Sequence, residues 1–147
     1  MSKLLSIGLI TCLLSTVLFS HQRSESYSKI NIDSTAESKS IEVEFSIQTS
    51  VLQRLNLNFT ENWDEELTDK VIGNFNFNKN CNISSKPFLK NSFSTGYLTL
   101  LWTMECELEE STINFELFFD EDSTHTHIST FFINSVPSPE KVFTSSR

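Results

Sequence analysis

Residues 41–49 read IEVEFSIQT, and this short stretch sets the fold class. Its apolar side chains, Ile41, Val43, Phe45 and Ile47, alternate with polar ones without a break. Successive side chains of a strand point to opposite faces, so strict alternation gives one apolar face and one polar face. We therefore predict a half-buried β-strand with its apolar face on a core and its polar face in water.

Four further stretches predict strands around this one. Residues 27–33 (YSKINID) predict a short first strand, and residues 97–108 (YLTLLWTMECEL) are apolar on both faces, which predicts a central strand. Residues 112–120 (TINFELFFD) and 127–134 (HISTFFIN) predict two more, the second with Ile128 inward. Only a short turn separates residues 97–108 from residues 112–120, so we expect these two strands to form a hairpin.

One helix is predicted between the strands. In residues 60–75 (TENWDEELTDKVIGNF) an apolar residue recurs every fourth position, which gives one apolar stripe, and three acidic residues fall in the first turn, where the helix dipole favours them. Residues 51–59 fit either a helical turn or a bent strand. The predicted fold class is mostly β, an antiparallel β-sandwich with one short helix at about residues 62–74.

The start of the chain has the form of a secretory signal. Lys3 supplies a positive charge, residues 4–19 are apolar apart from Ser and Thr, and Ser20 is small enough to precede a cleavage site. The apolar run is shorter than the ~20 residues that a membrane span needs. We predict a signal peptide at 1–20 and a single extracytoplasmic domain at 21–147, exported to the periplasm or outside the cell. A retained membrane anchor is the alternative.

The composition and the absence of certain motifs argue against several classes of function. The net charge of −8 argues against a nucleic-acid partner, because phosphate binding needs a basic face. Three glycines are too few for a glycine-rich phosphate loop. The three histidines have no nucleophile paired with them in sequence, and no G-x-S-x-G motif occurs, so we predict that the protein is not an enzyme.

Two cysteines would remain in the exported chain, because Cys12 leaves with the signal. An even pair in an exported protein predicts a disulfide, here between Cys81 and Cys106. The alternative is a thiol metal pair, which their wide spacing disfavours.

Residues 115–127 (FELFFDEDSTHTH) contain candidate metal ligands. His125 and His127 share one strand face, and Asp120 and Asp122 before them could add oxygen ligands. His21 would begin the mature chain, where its amine and imidazole together chelate copper or nickel. The alternative, which periodicity alone favours, is a solvated turn followed by an outward strand face.

Three segments resemble one family. His21, Ser24, Ser26 and Tyr27 fit an H-x-x-S-x-S-Y start; Leu117, Phe118, Phe119, Asp120, Asp122 and His125 fit L-L-F-D-x-D-x-x-H; Val136, Ser138, Pro139 and Glu140 fit F/V-S-P-E. With the cysteine pair, they resemble the extracytoplasmic N-terminal domain of HupE/UreJ-type hydrogenase/urease accessory proteins. The chain departs from that family in lacking glycines in its acidic segment and in stopping where the family's membrane half would begin. A free-standing domain and a membrane half encoded downstream both stay open.

The family's role in nickel or cobalt uptake belongs mainly to its membrane half, so what the resemblance implies for this exported domain is a metal-handling role. The metal itself is left open as a transition metal such as nickel, copper or zinc. The resemblance makes His21, Asp120, Asp122 and His125 the candidate metal ligands, whereas His127 gains nothing from it and is interpreted as the next outward residue. The alternative function is a secreted β-sandwich that binds another protein through an exposed sheet edge or aromatic patch, without a metal role.

Overall fold

The computed structural model describes residues 24–35, 38–55, 62–77, 81–92, 96–107 and 113–145. The predicted signal peptide 1–20 and the predicted ligand His21 lie outside these residues. The elements in chain order are β1 (Glu25–Ser34), β2 (Lys39–Gln48), α1 (Thr49–Arg54), α2 (Trp63–Asn74), β3 (Phe75–Phe77), β4 (Cys81–Ile83), β5 (Phe88–Ser92), β6 (Tyr97–Cys106), β7 (Ile113–Phe115), β8 (Thr126–Ile133), β9 (Val136–Pro137) and β10 (Lys141–Thr144).

Eight of these strands form one sheet in the order β10-β8-β1-β2-β6-β4, with β5 also on β6 and β9 on β8. β1 pairs antiparallel with β2, and β2 with β6, but β1 and β8 run parallel. The mostly β fold with a short helix is therefore confirmed, whereas the sheet is mixed and not antiparallel throughout. Because β1 and β8 lie far apart in the chain, no hairpin turn forces them to be antiparallel.

The inner face of the sheet follows the alternation seen in the sequence. All four apolar residues of β2 are buried, and so are the even-numbered residues of the central strand β6, Leu98, Leu100, Trp102, Met104 and Cys106. β6 lies centrally, between β2 on one edge and β4 and β5 on the other, as predicted. Its odd-numbered residues are only half-buried or exposed, so its outer face is not covered as the inner face is.

A second layer of mixed structure covers this inner face. Phe75, where β3 follows α2, packs its ring edge-on against Phe45 of β2 and Trp102 of β6. Buried side chains of α1 and α2 join the same core, among them Leu52 and Val71. Two helices and the two-stranded β3–β7 ribbon thus stand where a sandwich would have a second large sheet. Among the described residues, no helix is long and apolar enough to cross a membrane.

The predicted hairpin between β6 and residues 112–120 is wrong, because β7 pairs with β3. β7 also ends at Phe115, and the chain then turns through residues 117–121. Phe118 has a φ of 66°, which lets both Leu117 and Phe118 bury their side chains, an outcome that simple alternation forbids. The predicted disulfide is present: Cys81 and Cys106 face each other across β4 and β6 and are bonded.

Candidate functional site: a buried serine–histidine ladder

The parallel strands β1 and β8 bring two polar series together inside the core. In β1 and the residue before it, Ser24, Ser26 and Ser28 face inward; opposite them lie His125, His127 and Ser129. We call these six residues the ladder. Each is at most 4% exposed. The ladder exists because both segments repeat their polar residues with the period of a strand and because the register aligns the two series.

The ladder is one continuous chain of hydrogen bonds. His125 bridges Ser24 and Ser26, with Nδ1 at 2.7 Å from Ser24 Oγ and Nε2 at 2.8 Å from Ser26 Oγ. His127 bridges the next pair, at 2.8 Å from Ser26 Oγ through Nδ1 and 3.0 Å from Ser28 Oγ through Nε2. Ser28 Oγ lies 2.7 Å from Ser129 Oγ at the far end. Every ring nitrogen in the ladder therefore has a partner, as buried polar atoms require.

Counting protons shows that the two histidines are coupled. A neutral imidazole donates from one nitrogen and accepts at the other, and a serine hydroxyl has a single proton to donate. Ser26 contacts both rings and can give its proton to only one of them, and if it accepted from both rings its own buried proton would have no acceptor in the ladder. Two arrangements satisfy every ladder bond and also give the Ser26 proton an acceptor, one with all donors pointing toward Ser129 and one with all pointing toward Ser24. The tautomers of His125 and His127 must therefore match.

Asp122 selects one of the two arrangements. Burial raises the pKa of this carboxyl, but the hydrogen bonds from the Thr124 side chain and backbone, the nearby Ser24 hydroxyl and the His125 ring outweigh that effect, so the net pKa lies below its ordinary value. An ionised carboxylate can only accept, so it favours the arrangement in which the proton of the nearby Ser24 hydroxyl points toward Asp122. Ser24 must then accept from His125 Nδ1–H, and the same direction follows to Ser129. We infer that both histidines carry their proton on Nδ1.

Both histidines are held neutral. Burial lowers the pKa of His125 to about 4, with the Asp122 and Glu25 carboxylates partly opposing it and Arg54 adding to it. Burial, with the neighbouring charge of His125, lowers the pKa of His127 to about 2. In both cases burial removes the water that would stabilise a charged imidazolium, and the surrounding hydroxyls replace that water only in part.

Aromatic rings enclose His127. Its ring stacks on Phe115 with centroids 3.5 Å apart and lies nearly parallel to Phe45 at 5.9 Å. The interpretation of His127 as an outward residue is therefore wrong: β8 turns its odd-numbered residues inward, so that His127 is fully buried and Ile128 lies on the other face. The sequence offered no apolar side chain at these positions to mark the inner face.

The predicted metal ligands are only partly brought together. His125 has both nitrogens in the ladder, Asp122 adjoins Ser24, and Asp120 is exposed. Within the residues that the structure describes, no group of three or more His, Cys, Asp or Glu side chains could hold a metal ion. Since His21 lies outside them, the four-residue ligand set stays a prediction.

Sequence reasoning missed Ser28, His127 and Ser129 as members of a site. The signal was available as S-x-S-x-S at 24–28 and H-x-H-x-S at 125–129, two polar series with the same period of two. Reading either series alone suggests a solvated strand face; only pairing them suggests a buried one. No family model and no curated protein matches the chain.

Proposed function

We propose that this chain is an exported, non-enzymatic domain that handles a transition metal, as its resemblance to the extracytoplasmic part of HupE/UreJ-type proteins suggests. One observation carries the proposal: the ladder fixes Ser24 beside Asp122 and His125. His21 precedes Ser24 by only three residues, which span at most about 11 Å when fully extended. We infer from this limit that the N-terminal chelate can reach the Asp122 carboxylate.

The residues of this site have different roles in the proposal. The amine and imidazole of His21 bind the metal, and Asp122, with Asp120 beside it, supplies oxygen ligands. His125 acts as a positioning residue, because both of its nitrogens hold serines and neither is free for a metal. The low pKa of Asp122 keeps it ionised at neutral pH, as a metal ligand must be.

Two further observations support parts of the proposal. The Cys81–Cys106 disulfide favours an oxidising compartment, which suits export. The serine–imidazole pairs, the arrangement from which a nucleophile could be built, are closed off in the core, which favours a role without catalysis.

The test is a titration with Ni²⁺, Cu²⁺ and Zn²⁺ of protein whose free N-terminus is His21. We expect His21→Ala and Asp122→Asn each to weaken binding at least about tenfold. A glycine placed before His21 is the matched control for the chelate, because it keeps the imidazole and displaces the amine. Glu116→Gln, an exposed acid outside the ligand set, should change nothing. Affinity that survives both His21→Ala and Asp122→Asn would refute the metal role.

A second candidate is a protein-interaction module without a metal role. It is favoured by large apolar side chains left exposed at both edges of the sheet, Phe88 on β5 and Val142 on β10, each 61% exposed. Specific capture of a partner protein in the presence of chelator supports this function, whereas thermal stabilisation by metal supports the first.

A further inference from the structure

A groove of about 1120 Å³ separates α2 from the sheet edge made by β4 and β5. Its described lining residues include none of the ladder and neither Asp120 nor Asp122. Its apolar part includes Ile72 of α2, Ile83 of β4, and Phe88 and Leu89 of β5. Ile83 is 48% exposed and Phe88 61%, so the groove leaves apolar surface in water, a feature typical of binding sites.

The backbone beside the groove has an open edge. β4 and β5 both pair with the same edge of β6, opposite β2. Across the described ranges, neither has a strand on its other side. An edge strand of this kind presents N–H and C=O groups that an incoming extended segment can pair with. The edge therefore fits an added strand, and the groove fits the side chains of that strand.

The charged side chains that line the groove indicate what kind of peptide segment could bind there. Among the described residues that line the groove, Asp64, Glu65 and Asp69 of α2 are acidic, and Lys86 is the single cation. None of the three acids has an ion pair in the described structure, where Lys70 pairs with Glu121 instead. A second copy of this chain, with net charge −8, would bring further negative charge to an acidic groove. The complement is a segment in which basic and apolar side chains alternate.

We propose that this groove binds an extended segment of another protein, in which Lys or Arg alternates with apolar residues, by adding it as a strand to β5. Apolar side chains of the segment cover Phe88, which pairs with Leu101 on the outer side of the sheet, and its basic side chains, on the opposite face of the added strand, face the acids of α2. The inference rests on the second candidate function and is independent of metal binding.

The probe is a short capped peptide of alternating Lys and Val, labelled for fluorescence anisotropy, with its Glu–Val counterpart as the charge control. We expect only the Lys–Val peptide to bind, with affinity that falls as salt rises. Phe88→Ser should weaken binding about fivefold or more, and Val142→Ser, which removes an equally exposed apolar residue from the opposite edge, should not. Asp64→Asn with Asp69→Asn should weaken binding, whereas Glu116→Gln with Glu140→Gln, two exposed acids that do not line the groove, should not.

Amide chemical shifts locate the peptide. Shifts concentrated in β5 and α2, with slowed exchange of β5 amides, support strand addition. The proposal is overturned if the peptide does not bind, if both acid pairs affect it equally, or if the shifts lie on β10. A natural partner whose capture depends on Val142 and not on Phe88 would refute the groove as the binding site but would still support the protein-interaction function. Self-association that Phe88→Ser abolishes would also overturn it, since the occupant would then be a second copy.

Discussion

Ser26→Ala interrupts the ladder at its centre, because Ser26 is the one hydroxyl that contacts both histidines. The substitution removes little volume and leaves the apolar core in place. It deprives His125 Nε2 and His127 Nδ1 of their partner in a site that water does not reach, since Ser26 is fully buried. The effect on stability should therefore come almost wholly from hydrogen bonding.

The magnitude follows from the proton count. In the wild-type direction His125 donates to Ser24, so its Nε2 loses a donor and becomes an unpaired acceptor. His127 would be left with an unpaired N–H on Nδ1, but it can move the proton to Nε2 and donate to Ser28. Two unpaired acceptors then remain. At about 1–2 kcal/mol for each unsatisfied buried group, Ser26→Ala should lower the free energy of unfolding by about 2–4 kcal/mol.

Urea denaturation with the disulfide intact measures this loss. Ser129→Ala removes only the end bond of the ladder and should lose about 1 kcal/mol. Ser46→Ala is the control on the outer face of β2, where a half-buried hydroxyl has one bond, 3.0 Å to Thr99, and should lose less than about 1 kcal/mol. Nitrogen NMR adds a second readout: both rings should be protonated on Nδ1 in wild type, and only His127 should switch to Nε2 in Ser26→Ala.

Two results would refute the reasoning. If Ser26→Ala is no more destabilising than Ser46→Ala, the ladder is not a linked set of buried bonds. If both histidines of the wild type carry their proton on Nε2, Asp122 does not set the direction of donation, and if they have opposite tautomers, Ser26 does not couple them.

Three further predictions concern stability. The pKa values of His125 and His127 in the folded protein, about 4 and about 2, lie below the ordinary value of 6.5. As pH falls below about 6.5, the unfolded chain therefore binds protons that the folded protein does not bind. The free energy of unfolding should then decrease as pH falls toward 4, by up to about 1.4 kcal/mol per pH unit for each ring. Urea titrations across this range test it, and histidine NMR signals of the folded protein that titrate near pH 6.5 would contradict it. Replacing Cys81 and Cys106 together by Ser should lower the free energy of unfolding by about 3 kcal/mol, because the bond closes a loop across 25 residues; equal melting temperatures would contradict this. Gly73→Ala should raise the free energy of unfolding by about 0.5–1 kcal/mol, since Gly73 is exposed within α2 and an added Cβ meets nothing within 4 Å; a lower urea midpoint would contradict it.

The sequence predicts an element well where one physical signal dominates. The alternation of residues 41–48 and the four-residue apolar spacing from Trp63 to Phe75 identify β2 and α2 almost to their ends. The alternation pattern fails after Phe115, where β7 ends. The positive φ of Phe118 then lets the consecutive side chains of Leu117 and Phe118 both point into the core. Period-two reasoning assumes an extended backbone and cannot find such a turn.

The site was harder to predict because its inner face is polar. A hydrophobicity pattern treats Ser26 and His127 as surface residues, yet both are fully buried. Their burial becomes favourable only when the two strands meet in the correct register, a long-range event that neither local sequence contains. The resemblance did select Ser24, Ser26 and His125, but as parts of separate segments, and it assigned to His125 a ligand role that its two serine bonds oppose.

The ladder also explains why β1 and β8 keep their register. A shift of one residue would turn the serines and histidines to the outer face and bring residues such as Tyr27 and Ile128 inward. A shift of two residues would keep the polar face inward but would move one end serine of the ladder out of reach of its partners, and on one side it would place Ser129 against Ile30. An apolar strand pair would tolerate the second shift far better, because apolar contacts are not directional. The buried hydrogen bonds therefore fix where β1 begins relative to Asp122, and with it how far the N-terminal segment before Ser24 can reach.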